Sequence, residues 1–198
     1  MAKKSLKILS LSLSLLILVV MLSSCGKTEN NADFATAPKR VCVTMENGGE
    51  FIIETTPQMA PETCRNFLQL VSDGFYNGLT FHRVIDGFVA QGGDPSGDGT
   101  GGSGNSIKGE FAENGFEQNT LSHTRGVVSM ARRGNDMDSA TSQFFICYDD
   151  ITSLDGKYAA FGKVVEGMDV VDGFLNIKRD SSGMPETPIV IKEMKIME

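Results

Sequence analysis

The sequence predicts a mainly β fold, either a barrel or a sandwich, with two helices. The first observation is a series of short apolar runs separated by glycine, asparagine and aspartate, a pattern typical of strands joined by tight turns. The second observation is that only two segments have the apolar spacing of a helix. A hydrophobic share of 40% and a charged share of 22% over 198 residues are ordinary for one globular domain.

Residues 1–24 have the pattern of a signal peptide rather than of a folded element. Three basic residues come first, Lys3, Lys4 and Lys7. The apolar segment that follows, 8–22, has 15 residues, whereas a membrane-spanning helix needs roughly 20. This arrangement therefore predicts export of the chain.

A cysteine at the end of this apolar segment predicts a lipid anchor. "LSSC", residues 22–25, is similar to the bacterial lipobox, in which cleavage leaves a lipid-carrying cysteine. We expect Cys25 to be lipidated, with an uncleaved anchor or ordinary signal cleavage as the alternatives. Residues 25–39 are small and polar and would form a flexible tether, and 40–198 would form the domain. The expected location is the extracytoplasmic face of a bacterial cell membrane.

The domain is expected to begin with a hairpin and a helix. Two apolar runs flank Asn47-Gly48-Gly49, a strong hairpin signal. In "APETCRNFLQLVSDG", Pro61 suits the first helical turn and Gly74 suits the position after the last one. The residues that recur at helical spacing and predict its buried stripe are Cys64, Phe67, Leu68 and Val71.

The rest of the chain predicts further strands and one short helix. "GLTFHRVIDGFVAQGG" predicts two strands turned at Asp86-Gly87, and a glycine-rich loop follows. Strands are then expected in "TRGVVSMAR", "SQFFICY", "YAAFGKVV" and "PIVIKEMKIM", with a short helix in "EGMDVVDGF".

Several classes of function are excluded or disfavoured. A formal net charge of −7 argues against nucleic-acid binding. Two histidines without HxH or HExxH spacing predict no zinc site. "DPSGDG" resembles the start of a calcium loop, but Asn105 stands where the bidentate glutamate belongs. With no P-loop and no G-x-S-x-G elbow, we expect neither a metal nor a cofactor.

Three cysteines follow Cys25 in the chain. Export would permit a disulfide between Cys42 and Cys64. Cys42 and Cys147 lie in strand patterns, however, and Cys64 lies in the helical stripe. We expect buried free thiols instead.

The segment "FHRVIDGFVAQGGD" contains a cation among apolar residues. If Phe81, Arg83 and Ile85 share one face of a strand, Arg83 stands in an apolar row. An arginine is almost never fully buried without a partner. It therefore lines a cleft, forms a buried ion pair or reaches solvent. His82 would face away from Arg83, and we expect His82 and His123 to be structural.

This segment closely resembles the signature of the cyclophilins, a class of peptidyl-prolyl cis-trans isomerases. The resemblance continues in order from about Val41 to Met197, through "PETCRNFLQL", "GTGGSGNSIKGEF", "LSHTRGVVSMAR", "SATSQFFICY" and "LDGKYAAFGKVVEGMDVVD". It implies a closed eight-stranded antiparallel β-barrel capped by two α-helices, with the active site in a groove outside the barrel. No cofactor is implied.

The resemblance also implies roles for individual residues. Arg83 matches the catalytic arginine, and Gln91 matches the glutamine that orients it. The matched substrate-binding residues are Phe88, Val89, Ala131, Arg132, Gln143, Phe145, Leu154 and Tyr158, with Ala131 and Arg132 acting through main chain. Ser153 stands where many members have tryptophan, and Tyr158 where many have histidine, so weak cyclosporin binding is expected.

Two functions remain open from the sequence. The first is a monomeric, lipid-anchored isomerase that accelerates X-Pro rotation in unfolded or exported polypeptides, with Arg83 donating to the prolyl nitrogen. The alternative is a chaperone or surface module that binds proline-containing segments with little turnover. An intact arginine and pocket favour the first, because a pure binder does not need the arginine.

Overall fold

The computed structural model describes residues 33–198, which form a nearly closed eight-stranded antiparallel barrel with two helices. The expected signal peptide and Cys25 lie outside the described residues. None of the helices within 33–198 is both long and apolar enough to cross a membrane.

The elements follow the predicted order along the chain. The strands are β1 (Arg40–Met45), β2 (Glu50–Thr55), β3 (Thr80–Val84), β4 (Val89–Asp94), β5 (Val127–Met130), β6 (Phe144–Cys147), β7 (Ala160–Glu166) and β8 (Ile191–Ile196). The α-helices are α1 (Pro61–Ser72) and α2 (Met168–Gly173). The fold class predicted from the sequence is confirmed.

The strands are ordered β3-β4-β6-β5-β7-β2-β1-β8 around the barrel. Every adjacent pair of strands in this order is antiparallel. The two edge strands then approach each other, since the Phe81 amide donates to the Ile189 carbonyl at 2.9 Å and the Ile191 amide to Leu79 at 2.8 Å. These bonds leave few unpaired edge groups, which would otherwise invite pairing with another chain.

The first hairpin and α1 begin and end where turn chemistry predicts. The Met45 amide donates to Gly49 at 2.8 Å, and Gly48 has a φ of 84°, which favours glycine. Pro61 opens α1, and Gly74, at φ 69°, follows the helix end. The predicted stripe of α1 is buried as expected.

An aromatic cluster fills the barrel under α1. Phe67 of α1 packs on Phe161 of β7, with ring centroids 4.9 Å apart, and edge-on against Phe144 of β6 at 5.7 Å. Tyr76 joins them and donates to the Ser142 carbonyl at 3.0 Å. Aromatic rings bury large areas in such offset geometries, so this cluster joins the helix to both halves of the barrel.

The folded part starts earlier than the sequence pattern indicates. Residues 25–39 carry no periodicity, yet Phe34 lies in a 3-10 turn and is buried in the main core. One phenylalanine within a polar stretch was the only available signal. Phe34 therefore belongs to the folded core, although it lies within the segment predicted as a tether.

The cysteines within residues 33–198 are free, as expected. Cys64 and Cys147 are buried, and burial raises the pKa of each thiol to about 12. Cys42 is only half-buried, because Val41 and Val43 take the inward positions of β1. The expectation of a buried Cys42 is therefore wrong.

The N-terminus of α1 is capped by a residue distant in sequence. Ala60 at the cap position has no side-chain acceptor. The Glu110 side chain supplies the missing acceptor. Its carboxylate accepts hydrogen bonds from the Glu62 amide at 3.0 Å and from the Thr63 amide at 2.8 Å. The Thr63 hydroxyl also donates to it at 2.7 Å. A buried carboxylate here satisfies free helix amides and complements the positive end of the helix dipole.

We predict that Glu110→Ala lowers the free energy of unfolding by about 2–4 kcal/mol, because buried amides lose a charged acceptor. Urea denaturation would measure it. Glu113→Ala is the matched control, since Glu113 is an exposed side chain three residues away, and we expect a change within about 0.5 kcal/mol. Equal effects of the two variants would contradict the capping role.

Candidate active site

A row of outward-facing side chains crosses three strands of the barrel. Gln91 of β4 lies opposite Phe145 of β6, which lies opposite Ser129 of β5. Their neighbours Ala90 and Ile146 point inward and belong to the main core. This alternation, which follows from the strand period of two, places the candidate site on the outside of the barrel.

A β-bulge places Arg83 in this outer row. Phe81 pairs with Gly92 and Arg83 with Gln91, so His82 is an extra residue on β3. Phe81 therefore packs in the core inside the barrel, whereas Arg83 lies half-buried on the outer surface of the barrel. The expectation that Phe81 and Arg83 share a face is wrong, because the bulge shifts the alternation by one residue.

Arg83 is held by a chain of side-chain amides. Its Nη1 donates to Gln91 Oε1 at 3.2 Å, and Gln91 Nε2 donates to Gln143 Oε1 at 2.9 Å. Gln143 Nε2 donates in turn to the carbonyls of Gly99 and Gly101, at 3.0 and 2.8 Å. The glycine loop thus fixes the orientation of Gln143, and through Gln91 that of the guanidinium.

A cavity of about 290 Å³ lies beside Arg83, and most of the side chains that line it are apolar or aromatic. Phe145 forms its floor and meets the Tyr158 ring edge-on at 5.8 Å. The guanidinium carbon of Arg83 lies 5.7 Å from the Phe88 ring centre. The cavity brings together nine residues singled out from the sequence: Arg83, Phe88, Val89, Gln91, Ala131, Arg132, Phe145, Leu154 and Tyr158.

A second cavity, of about 420 Å³, adjoins the first, and Gln91, Ala131 and Arg132 line both. Gln143, the tenth residue singled out from the sequence, lines this second cavity. The other residues that line it were not singled out individually from the sequence: Gly99, Thr100, Gly101, Gly102, Gly104, Ser106, Arg133, Ser139 and Thr141. Arg133 had a signal, since two adjacent arginines end a strand pattern, and residues 99–106 had one in the glycine-rich segment "GTGGSGNSIKGEF".

Arg132 is sandwiched between two rings at the junction of the cavities. Its guanidinium carbon lies 4.7 Å from the Tyr158 ring centre and 5.2 Å from that of Phe111. Its Nε donates to the Lys157 carbonyl at 3.0 Å and its Nη1 to the Arg133 carbonyl at 3.0 Å. The side chain, and not only the main chain, is therefore a fixed part of the groove wall.

Behind Phe145 lies a Ser-His-Asp chain that sequence reasoning did not identify, buried at Ser129 and His123 and partly exposed at Asp155. His123 Nδ1 lies 2.9 Å from Asp155 Oδ1, and its Nε2 lies 3.0 Å from Ser129 Oγ. Ser129 and His123 have no exposed surface, so no substrate reaches the hydroxyl. The imidazole stacks on Phe145, with centroids 6.0 Å apart. The chain therefore supports the cavity floor and is no nucleophile.

The charge state of His123 follows from these contacts. A carboxylate only accepts hydrogen bonds, so Nδ1 carries the proton and Nε2 of the neutral ring accepts from Ser129. Burial lowers the pKa of His123, and Asp155 only partly opposes this. Burial raises the pKa of Asp155, but hydrogen bonds from Ser122 and His123 outweigh it, and the net shift is downward.

His82 is also buried, against the glycine loop. It is 5% exposed and neither ring nitrogen has a partner. Burial lowers the pKa of His82, and the negative charge of Asp94 partly opposes this shift. Asp94, the first residue of the calcium-like segment, accepts from the amides of Ser96 and Gly99 at 2.8 and 2.6 Å. It therefore closes the loop, and residues 33–198 contain no cluster of three metal-ligating side chains.

The groove thus offers a fixed cation beside an apolar cavity. Such a site suits a ligand that has an apolar ring next to a hydrogen-bond acceptor. The low local dielectric strengthens that bond.

Comparison with known proteins gives a consistent picture. The family model described as "Cyclophilin type peptidyl-prolyl cis-trans isomerase/CLD" matches residues 40–196. A peptidyl-prolyl cis-trans isomerase of Helicobacter pylori (strain 26695) is 48% identical over 128 residues, which are 64% of this chain and 74% of that protein. Peptidyl-prolyl cis-trans isomerase B of Bacillus subtilis is 45% identical over 132 residues, covering 67% of this chain and 87% of that protein.

Further matches include part of a longer protein and a solved structure. The chain spans only 29% of the peptidyl-prolyl cis-trans isomerase-like 2 protein of Gibberella zeae, with 39% identity over 173 residues that cover 85% of this chain. A crystal structure of a Cryptosporidium parvum cyclophilin type isomerase matches with a TM-score of 0.73 and 33% identity, covering 82% of this chain and 99% of that one. The same protein was also crystallised in the presence of the dipeptide Ala-Pro.

We predict that the protein loses stability as the pH falls from 7.5 to 5. A folded-state histidine pKa below the unfolded value of about 6.5 means that the unfolded chain binds more protons in this range. Stability begins to fall near the histidine pKa of the unfolded chain, and the fall ends once the pH is below the histidine pKa of the folded protein. The carboxylates with lowered pKa, Asp98, Asp138, Asp155 and Asp180, lose their contribution only below about pH 4.

Urea unfolding at several pH values would measure this dependence. His123→Asn should flatten the curve, because asparagine keeps a donor for Asp155 but does not titrate. His82→Asn would give the contribution of the second histidine. A wild-type stability that is constant or rises between pH 7.5 and 5 would refute the prediction.

Proposed function

The chain belongs to the cyclophilin type peptidyl-prolyl cis-trans isomerase family, and we propose that it accelerates rotation about X-Pro bonds in exported polypeptides. The observation that carries this proposal is Arg83, held by Gln91 at 3.2 Å beside a cavity of about 290 Å³ whose walls include Phe88, Phe145 and Leu154. A proline ring fits the chemistry of such a cavity, because it is compact and apolar.

The reaction requires stabilisation of a twisted peptide bond. Rotation costs about 20 kcal/mol, because the nitrogen lone pair is conjugated with the carbonyl. In the twisted state that conjugation is lost, and the nitrogen becomes a hydrogen-bond acceptor. A donor aimed at this nitrogen therefore binds the transition state better than either ground state. Arg83 supplies such a donor through its planar guanidinium group.

The surroundings of Arg83 support this role. Phe88, Phe145 and Leu154 would hold the proline ring while the preceding carbonyl turns. Gln91 and Gln143 orient the guanidinium beforehand, so little reorganisation accompanies the reaction. No step requires a covalent intermediate, a metal or a change of protonation.

A binding module that holds proline-containing segments with little turnover is the alternative. It would need the apolar cavity but not an oriented cation. The three-residue chain of hydrogen bonds that fixes Arg83 favours catalysis, because simple retention of a proline would not require it.

We also propose that the protein is exported and anchored by a lipid on Cys25, as a monomer. The support is in the sequence: basic residues, an apolar segment and "LSSC" precede the folded part. Slow proline isomerisation limits the folding of many chains, so the clients would be polypeptides that fold after export. Ser153 is exposed and offers no ring for cyclosporin, which supports weak binding of that ligand.

We predict that Arg83→Ala lowers kcat/KM by about 100-fold or more, since the donor to the prolyl nitrogen is lost. A protease-coupled assay with a proline tetrapeptide, on the full chain in mild detergent, would measure it. Arg83→Lys should retain part of the activity. Arg40→Ala, on β1 and paired with Glu54, is the control and should stay near wild type. Full activity of Arg83→Ala would rule out its catalytic role.

We predict that Cys25→Ser abolishes labelling with palmitate in an expressing bacterium, because the thiol that would carry the lipid is lost. Cys42→Ser is the matched control, because it removes a thiol from β1 and should keep the label. Palmitate labelling that persists in Cys25→Ser would contradict a lipid on this cysteine.

A further inference from the structure

The groove is positively charged on a protein whose net charge is negative. Three arginines line the two adjoining cavities, Arg83, Arg132 and Arg133, and no aspartate or glutamate lines either of them. The full sequence has a formal net charge of −7. The local excess of cations is therefore opposite in sign to the molecule as a whole.

The arginines differ in how far protein carboxylates neutralise them. Arg133 pairs with Asp136 at 3.1 Å. Within residues 33–198, neither Arg83 nor Arg132 has a carboxylate within ion-pair distance. Arg83 has a glutamine partner, and Arg132 donates only to carbonyl oxygens, so both positive charges remain available to a bound ligand.

Arg132 is placed to act on the substrate. It lines both cavities and so lies between the proline pocket and the space next to it. The Tyr158 and Phe111 rings and three backbone carbonyls, of Lys157, Arg133 and Gly134, hold its guanidinium. Its Nη2 donates to no group in the described part of the chain. A fixed guanidinium loses little side-chain entropy when it binds a carboxylate or phosphate.

From these observations we propose that the enzyme selects X-Pro segments that carry an anionic side chain in one of the two residues before the proline, with Arg132 as the specificity-determining residue. The inference rests on the proposed isomerase function. The anionic group belongs to aspartate, glutamate or a phosphorylated residue, because carboxylate and phosphate both match a guanidinium.

The negative charge of the whole protein opposes this preference only weakly. At 0.1 M salt, interactions between exposed charges are screened beyond about 10 Å. A substrate carboxylate that accepts a hydrogen bond from Arg132 would lie well within that distance of its guanidinium. The local cations therefore dominate binding, whereas the diffuse negative charge acts mainly on distant approach.

The test compares peptides on the same enzyme preparation. Tetrapeptide 4-nitroanilides with Pro-Phe at the end would carry glutamate, phosphoserine, glutamine or lysine, either directly before the proline or one position earlier. We expect the glutamate peptide to exceed the lysine peptide about three- to tenfold in kcat/KM at low salt. At 1 M NaCl the ratio should approach one. Because each ratio comes from one preparation, misfolded enzyme does not affect it.

Variants assign the preference to Arg132. Arg132→Gln should lower the glutamate-to-lysine ratio about two- to fivefold, and Arg132→Lys should keep more of it. Arg40→Gln removes the same charge from β1 and should leave the ratio unchanged. A phosphoserine preference without a glutamate preference would support anion selection and assign the natural group to phosphate.

Two outcomes would overturn the proposal. One is a wild-type ratio near one at low salt for both anions and both positions. The other is a ratio that Arg132→Gln leaves intact. Turnover of the glutamine peptide that still depends on Arg83 would, in either case, uphold the isomerase function separately.

Discussion

Strand β6 is buried on both faces, and the rest of the molecule depends on this constraint. Phe144 and Ile146 belong to the core inside the barrel, whereas Phe145 and Cys147 belong to a second apolar cluster outside it, together with Val89, Val127 and Ala160. One strand of four residues thus joins the interior core to the floor of the active site. A change in its register would exchange the two sets of side chains and destroy both.

The sequence allowed much of the fold to be predicted, because its strongest signals are local. Asn47-Gly48-Gly49 and Asp86-Gly87 mark turns through their backbone preferences, and Pro61 and Gly74 mark the ends of α1. The bulge at His82 was not predictable, since it depends on how β3 pairs with a strand that follows it. The cap from Glu110 was hidden for a related reason: 48 residues separate it from the amide it binds.

The candidate site likewise contains residues that the sequence allowed us to single out and contacts that it did not. Residues with a distinctive side chain, such as Arg83 and Phe145, could be singled out from the sequence and its resemblance to a known family. The chain of amides from Arg83 to the carbonyls of Gly99 and Gly101 could not be foreseen in full, because its last acceptors are backbone atoms. The same limit applies to Arg132, whose surroundings come from Phe111 and Tyr158, 21 and 26 residues away in sequence.

If Cys25 carries the lipid proposed above, the burial of Phe34 limits how far the barrel can lie from the membrane. With a lipid on Cys25, only nine residue steps lead from the anchor to the first side chain fixed in the core. Fully extended, such a segment reaches about 30 Å, roughly the diameter of a small domain. The barrel would then stay within one molecular diameter of the bilayer. Its clients would be the chains that pass through this thin layer, and their local concentration, rather than high affinity, would determine which ones it serves.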